Sequence, residues 1–143
     1  MLWFQNYNLE QINQGNVKTM VENCGIVITE LNEDSLVGTM PVDHRNKQPF
    51  GILHGGANCV FAETLGSIAA NLICDPSTHH AVGLSITTNH LKAVRNGILK
   101  GIATPVKIGR TTHVWDIKTY DELGNLTSST DLTMMIVERL KEK

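Results

Sequence analysis

The chain lacks the features that mark several large functional classes. Its 12 Lys and Arg stand against 14 Asp and Glu, a net charge of −2, so no basic excess supplies a broad surface for nucleic acid. Cysteine is scarce: Cys24, Cys59 and Cys74 are odd in number, widely spaced and without a CxxC pair, which fits a reduced, cytoplasmic protein better than a disulfide scaffold. The six histidines, His44, His54, His79, His80, His90 and His113, show no compact ligand spacing, so no metal is expected. The sequence MLWFQNYNLEQ has no basic region leading into an apolar run and cleavage site, so no secretory signal is expected. Repeats, low-complexity tracts and Pro/Gly-rich linkers are also missing. At 143 residues the chain is long enough to bury a core of its own, and one domain over 1–143 is expected.

Charge is locally scarcest between Gln48 and Cys74, QPFGILHGGANCVFAETLGSIAANLIC, where Glu63 is the one formal charge. The length raises the question of a membrane span, but Asn58, Glu63, Ser67 and Asn71 interrupt the run and Gly55 and Gly56 open it, which argues against one. A carboxylate on a helix this apolar is costly unless it is paired, hydrogen-bonded or open to a polar cleft. Glu63 is therefore a candidate functional group. The competing reading is a carboxylate that pairs with a Lys, Arg or His and steadies an interface.

Around this stretch the patterning reads as α+β. Asn8 to Cys24 carries a loose helical pattern, one or two short helices, broken by Gly15 and closed by Gly25. Ile26 to Leu31 and Ser35 to Val42 form a β-hairpin around Asn32, Glu33 and Asp34. A long helix is predicted from about His54 to Cys74, ended by Asp75 and Pro76. Four strands follow: Ala81 to Lys92, Gly97 to Lys107, Thr111 to Tyr120 and Asn125 to Val137. Arg95, Asn96 and Gly97 are expected to turn the first pair, and residues 121–125 the last, with Gly124 left-handed. Alternation in Val82, Leu84 and Ile86, and in Leu132, Met134 and Ile136, predicts an apolar face on each strand that wraps the helix.

The helix start suits an anion or a polarised oxygen, because its first amides lack intrahelical partners and the helix dipole favours negative charge. The Gly55 amide is a candidate donor to a carbonyl that gains charge during acyl transfer, and glycine allows close approach. Tight packing of the helix is the plainer explanation of the same glycine. Cys59, Glu63 and Ser67, spaced by four, share one face, so Ser67 can hold a water beside Glu63. The carboxylate can serve as general base on that water, or attack an acyl carbon to form an anhydride that water then opens. Gly55 and Glu63 are eight residues apart, about 12 Å along a helix, too far to act on one carbonyl. A two-fold dimer with antiparallel helices would face Glu63 of one subunit with Gly55 of the other.

QPFGILHGGANCVFAETLGS, with NHLK and KIGRTTHVWDIKTYDELGNL farther on, resembles hotdog-fold acyl-CoA thioesterases, especially the phenylacetate-pathway (PaaI) and 1,4-dihydroxy-2-naphthoyl-CoA types. The resemblance spans nearly the whole chain. It implies an antiparallel sheet wrapped round one long central helix, a homodimer with composite sites or a homotetramer, and an acyl-CoA substrate without a separate cofactor. It further implies Glu63 as nucleophile or general base, Gly55 as the amide that polarises the thioester carbonyl, Gln48 and His54 as positioning groups, and Ser67 in support. For His54 alone, a hydrogen bond that ties down a loop is the competing reading.

Coenzyme A is implied to contact Gly83, then His90, Leu91, Lys92 and Ala93, and then Lys107, Ile108, Gly109, Arg110, Thr111 and Thr112. Lys92, Lys107 and Arg110 would meet its phosphates; otherwise these are solvated strand ends. An aryl acyl group such as 1,4-dihydroxy-2-naphthoyl is favoured, in a pocket drawn from residues such as Phe50, Val60, Phe61 and Leu65. A non-catalytic acyl-CoA sensor and a hotdog dehydratase or hydratase are the alternatives.

Overall fold

Two short helices lead into the sheet. α1 (Leu9–Gln14) is capped by the Asn8 side chain, which accepts from the Glu10 amide, and α2 (Met20–Asn23) by Thr19, which accepts from Val21. The hairpin β1 (Val27–Leu31) and β2 (Leu36–Pro41) follows, then the long helix α3 (Gly55–Ile73). The four remaining strands are β3 (His79–His90), β4 (Ile98–Ile108), β5 (Thr112–Tyr120) and β6 (Leu126–Glu138). This computed structural model describes residues 1–140, so the last three residues of the domain expected over 1–143 lie outside the described residues.

The six strands form one antiparallel sheet in the order β1-β2-β4-β5-β6-β3. The sequence expectation holds for the hairpins β1–β2 and β5–β6, and Gly124 has φ 82° in the second of these turns. It fails for β3 and β4, which do not pair. Residues 91–97 instead cross from the β3 edge to the interior of the sheet, anchored where the Leu53 amide donates to the Val94 carbonyl and the Val42 amide to the Gly97 carbonyl. Gly97 does bend the chain at φ 89°, but a bend does not choose a strand's partner. Burial of Leu99 and Ala103 draws β4 between β2 and β5.

α3 lies in the concave side of the sheet. Phe61, Ala62, Leu65 and Ala69 are fully buried against Trp115, Ile117, Leu132 and Met134, and the close seating requires small residues. A Cβ on Gly66 would fall 2.4 Å from Leu132, and one on Gly101 would fall 2.5 Å from Leu65. Phe61 and Leu65, expected in an acyl pocket, are therefore core residues; helix rotation decides this, and sequence spacing alone does not. No helix among the described residues is long and apolar enough to cross a membrane.

β3 departs most from the expected pattern, and it does so where function is at stake. Val82 and Leu84 are exposed at 37% and 55% rather than turned onto the helix. The reason is a bulge: Gly83 pairs with Met134 and Ser85 with Thr133, leaving Leu84 as the extra residue. One added residue reverses the alternation. Before the bulge Ala81 and Gly83 face α3; after it Ile86, Thr88 and His90 do so, opposite the buried Leu132, Thr130 and Ser128 of β6. The Asn71 side chain fixes the start of this strand, accepting from the Ala81 amide at 2.9 Å and donating to its carbonyl at 3.0 Å.

Candidate active site

The start of α3 is organised by His54. As N-cap residue, its Nδ1 accepts from the Gly56 amide at 2.8 Å and its carbonyl accepts from Ala57 at 2.9 Å. Those bonds occupy the two amides after Gly55, and among the described residues the Gly55 amide has no protein acceptor. The imidazole thus secures the helix end, and it faces a different hollow, shared with Arg45, Lys47 and Val60, rather than the cleft at Gly55.

That cleft, of about 310 Å³, joins Gln48, Gly55, Asn58, His90, Leu91, Lys92 and Ala93. Gln48 sits in the loop before the helix and lines the cleft; its Oε1 accepts from the Phe50 amide, and its side-chain NH₂ has no protein acceptor among the described residues. His90 closes the cleft over Gly55: a Cβ there would lie 3.0 Å from His90 Nε2. Asn58 is missing from the residues expected at the site, although it is buried and lies 3.1 Å from His90 Nδ1. Its polarity inside an apolar run was the available signal. Lys92 pairs with Asp121 at 2.5 Å, and this hydrogen bond above all holds the Asp121 carboxyl well below the usual carboxylate range.

Glu63 and Ser67 occupy a second cavity of about 280 Å³, between α3 and α2, with Met20, Val21, Val60, Thr64 and Ile68. Apart from the two site residues and Thr64 its wall is apolar, and Met20 and Val21 come from a helix whose part here had no sequence signal. Glu63 is half-buried, not enclosed. Its carboxylate rests on the backbone of β3, where a Cβ on Gly83 would fall 2.3 Å from Oε1. Gly83, expected to contact coenzyme A, here makes room for the acid.

Within one protomer the structure joins Gln48 with Gly55, and Glu63 with Ser67, but not the two pairs. It likewise separates the two segments expected to hold coenzyme A. His90 pairs with Ser128 and Thr112 with Met135, seven positions along β6 or about 23 Å. Lys107, Ile108, Gly109, Arg110, Thr111 and Thr112 thus lie around the β4–β5 turn, where the Gly109 amide donates to the Thr112 carbonyl at 2.8 Å. No cluster of His, Cys, Asp and Glu suited to a metal occurs among the described residues.

Comparison with known proteins supplies the remaining constraint. The profile of a family described as the thioesterase superfamily matches residues 50–128. The chain is 43% identical over 137 residues to the proofreading thioesterase EntH of Cronobacter sakazakii, covering 96% of this chain and 99% of that one. It is 41% identical over 137 residues to the 1,4-dihydroxy-2-naphthoyl-CoA hydrolase of Escherichia coli, covering 96% and 100%. Among solved structures, a thioesterase from Haemophilus influenzae superimposes with a TM-score of 0.95 at 41% identity, over 99% of each chain.

Proposed function

The chain belongs to the thioesterase superfamily and has its hotdog fold, and from that premise we propose that this thioester hydrolase cleaves an aryl-CoA at a site built from two copies of itself. The observation that carries the reading is the separation, within one protomer, of a donor cleft at Gln48 and Gly55 from an acid cavity at Glu63 and Ser67. A two-fold axis beside α3 and β3 would bring each half opposite its complement. The exposed face of β3 supports that axis. It is an edge strand of twelve residues bearing exposed Val82 and Leu84, the kind of edge that invites strand pairing unless covered. The same axis would carry the 107–112 turn of one copy toward His90 of the other, giving coenzyme A one continuous surface. A tetramer would be formed by joining two such dimers.

In the proposed reaction the Gly55 amide and the Gln48 NH₂ donate to the thioester carbonyl oxygen, while Glu63 approaches from the other subunit. Glu63 either takes a proton from a water held with Ser67 as that water's oxygen bonds to the carbonyl carbon, or bonds to that carbon itself. Collapse of the tetrahedral adduct breaks the C–S bond and releases the coenzyme A thiolate, which then takes up a proton. In the second route water opens the resulting anhydride. The free acid is the other product in both.

An aryl acyl group fits the apolar cavity beside Glu63 and the activity for which the Escherichia coli relative is named. Phosphates would meet Lys107 and Arg110; Lys92 would have to exchange Asp121 for them. Three free thiols suit a cytoplasmic location. The test is free-thiol release from a panel of aryl- and alkyl-CoA thioesters, ranked by kcat/KM. Aryl substrates are expected to lead; equal rates across the panel would remove the aryl preference, and binding without hydrolysis would make the protein a sensor. Hydration of an enoyl-CoA with the thioester left intact would support the hydratase reading.

Gly83→Ala offers a sharper check, since the added methyl would occupy the space of the Glu63 carboxylate. A displacement of about 1 Å at a reacting group can cost on the order of 100-fold, so kcat should fall by that order with the dimer intact. Unchanged kcat would show that the position of Glu63 over β3 does not matter.

A further inference from the structure

We propose that Asn58 is a positioning residue of this site: it holds neutral His90 with its ring proton on Nε2, presenting Nε2–H beside the Gly55 amide as an additional donor to the thioester carbonyl oxygen. The inference rests on the composite-site reading above and assigns a part in it to two further residues.

Three observations carry it. Asn58 is 4% exposed on α3, one turn beyond Gly55, and lines the same cleft. Its Nδ2 lies 3.1 Å from His90 Nδ1; with the amide NH₂ turned to that nitrogen, Nδ1 accepts and a neutral ring carries its proton on Nε2. Nε2 is the ring atom nearest the place a Cβ on Gly55 would take, at 3.0 Å. The bulge at Leu84 is what brings His90 to this face of β3, at the position opposite Ser128.

A buried asparagine needs such a reason. Among the described residues its Oδ1 has no hydrogen-bond partner, so in this packing the side chain bears an unsatisfied acceptor as well as the burial of a polar group. A leucine would fill similar space without that cost. The gain lies in the cleft. Without a donor at Nδ1, an exposed imidazole divides its proton between the two nitrogens and turns freely; with one, the Nε2–H is held toward the place where charge develops. A donor fixed in advance at that place assists the transition state more than the ground state.

Within the protomer, Glu63 lies in the other cavity, and Lys92, two residues on from His90, is paired with Asp121. Glu63 of the other copy, which the composite site brings to this cleft, is an acceptor and favours the same Nε2–H. Asn58 is the polar side chain from the packed helix that meets the ring.

The decisive measurement is the tautomer of His90 in the wild-type homo-oligomer, read from long-range proton–nitrogen correlations of protein labelled with ¹⁵N-histidine and assigned through His90→Ala. The expected result is a protonated Nε2 and a bare Nδ1; a proton on Nδ1 would overturn the inference. This spectrum decides the matter whether or not any variant at the buried position folds.

Activity gives the second arm. Asn58→Leu should lower kcat about tenfold with KM little changed, and should cause no further loss in a His90→Ala background. Equal losses in both backgrounds, or no loss in either, would overturn the inference. The Asn58→Asp carboxylate would accept from Nδ1–H and leave Nε2 of the neutral ring bare, so its loss in kcat should be at least that of Asn58→Leu; full activity would count against the inference. Full activity of Glu63→Gln would remove the composite-site reading and leave the tautomer standing. An inactive Glu63→Gln together with a proton on Nδ1 would remove this inference alone.

Discussion

Glu63→Gln is expected to lower kcat by about 10²- to 10⁴-fold, the range for loss of a positioned acid–base group, with little change in thermal stability. Glutamine has the shape of glutamate, so the contact with the β3 backbone at Gly83 can be kept while the negative charge is lost. The side chain is half-buried rather than sealed in the core, and so its charge is not a structural support whose loss would unfold the protein. Steady-state kinetics on an aryl-CoA, with melting curves as control, checks both halves of the statement. Turnover near the wild-type rate would end the case for Glu63. The same residue allows the two routes to be separated. Single turnover in ¹⁸O-labelled water places the first label in the released acid if water attacks the thioester directly, and label in the Glu63 carboxylate shows an anhydride that water opens at the Glu63 carboxyl carbon.

Gly55→Pro is expected to cost about 10²- to 10³-fold in kcat, as removal of one oxyanion donor does, through the loss of a single amide hydrogen. Proline is accommodated at the first position of a helix. The residue before it, His54, has φ −64° and ψ 133°, the extended conformation that a residue preceding proline adopts. Gly55→Ala is the control, because it adds the same Cβ against the His90 ring but retains the amide. A much larger loss for proline than for alanine assigns the effect to the donor; equal losses would assign it to the displaced ring.

The two variants together test the shared site. A heterodimer of one Gly55→Pro subunit and one Glu63→Gln subunit has one site with both groups intact if each site draws on both chains. It has none if each chain works alone. Recovery to about half the wild-type rate in doubly tagged, purified heterodimers is expected on the composite arrangement; no recovery would refute it.

Much of the architecture was legible because it depends on local chemistry. The α3 helix was readable from its apolar run and from Asp75 and Pro76 at its end, and its observed span differs from the expected one by a residue at each end. The β5–β6 hairpin followed from turn residues that allow Gly124 a positive φ. Strand partners were less legible. The same kind of turn at Gly97 suggested a hairpin, but the stronger burial of β4 in the middle of the sheet sent β3 to the far edge beside β6.

The site divides in the same way. Glu63 stood out as the one charge in its stretch, and Gly55 as a glycine at a helix start. Asn58 showed only as a polar residue in an apolar run and Met20 gave no signal, since their importance lies in what they meet: the His90 ring for one, the cavity at Glu63 for the other. Gly83 in a strand could have suggested a bulge, but only the pairing of Ser85 with Thr133 shows where the alternation reverses.

The sequence by itself determined the class of fold, the long helix and the isolated acid, because propensity, turn chemistry and the cost of a charge on an apolar helix act over a few residues. The tertiary structure alone decided that the acid and the donor lie in separate hollows of one protomer, and that Gly83 and His90 point to the same face of β3. Those relations depend on how the helix is rotated and where one extra residue enters a strand, and both are set by packing between segments far apart in the chain.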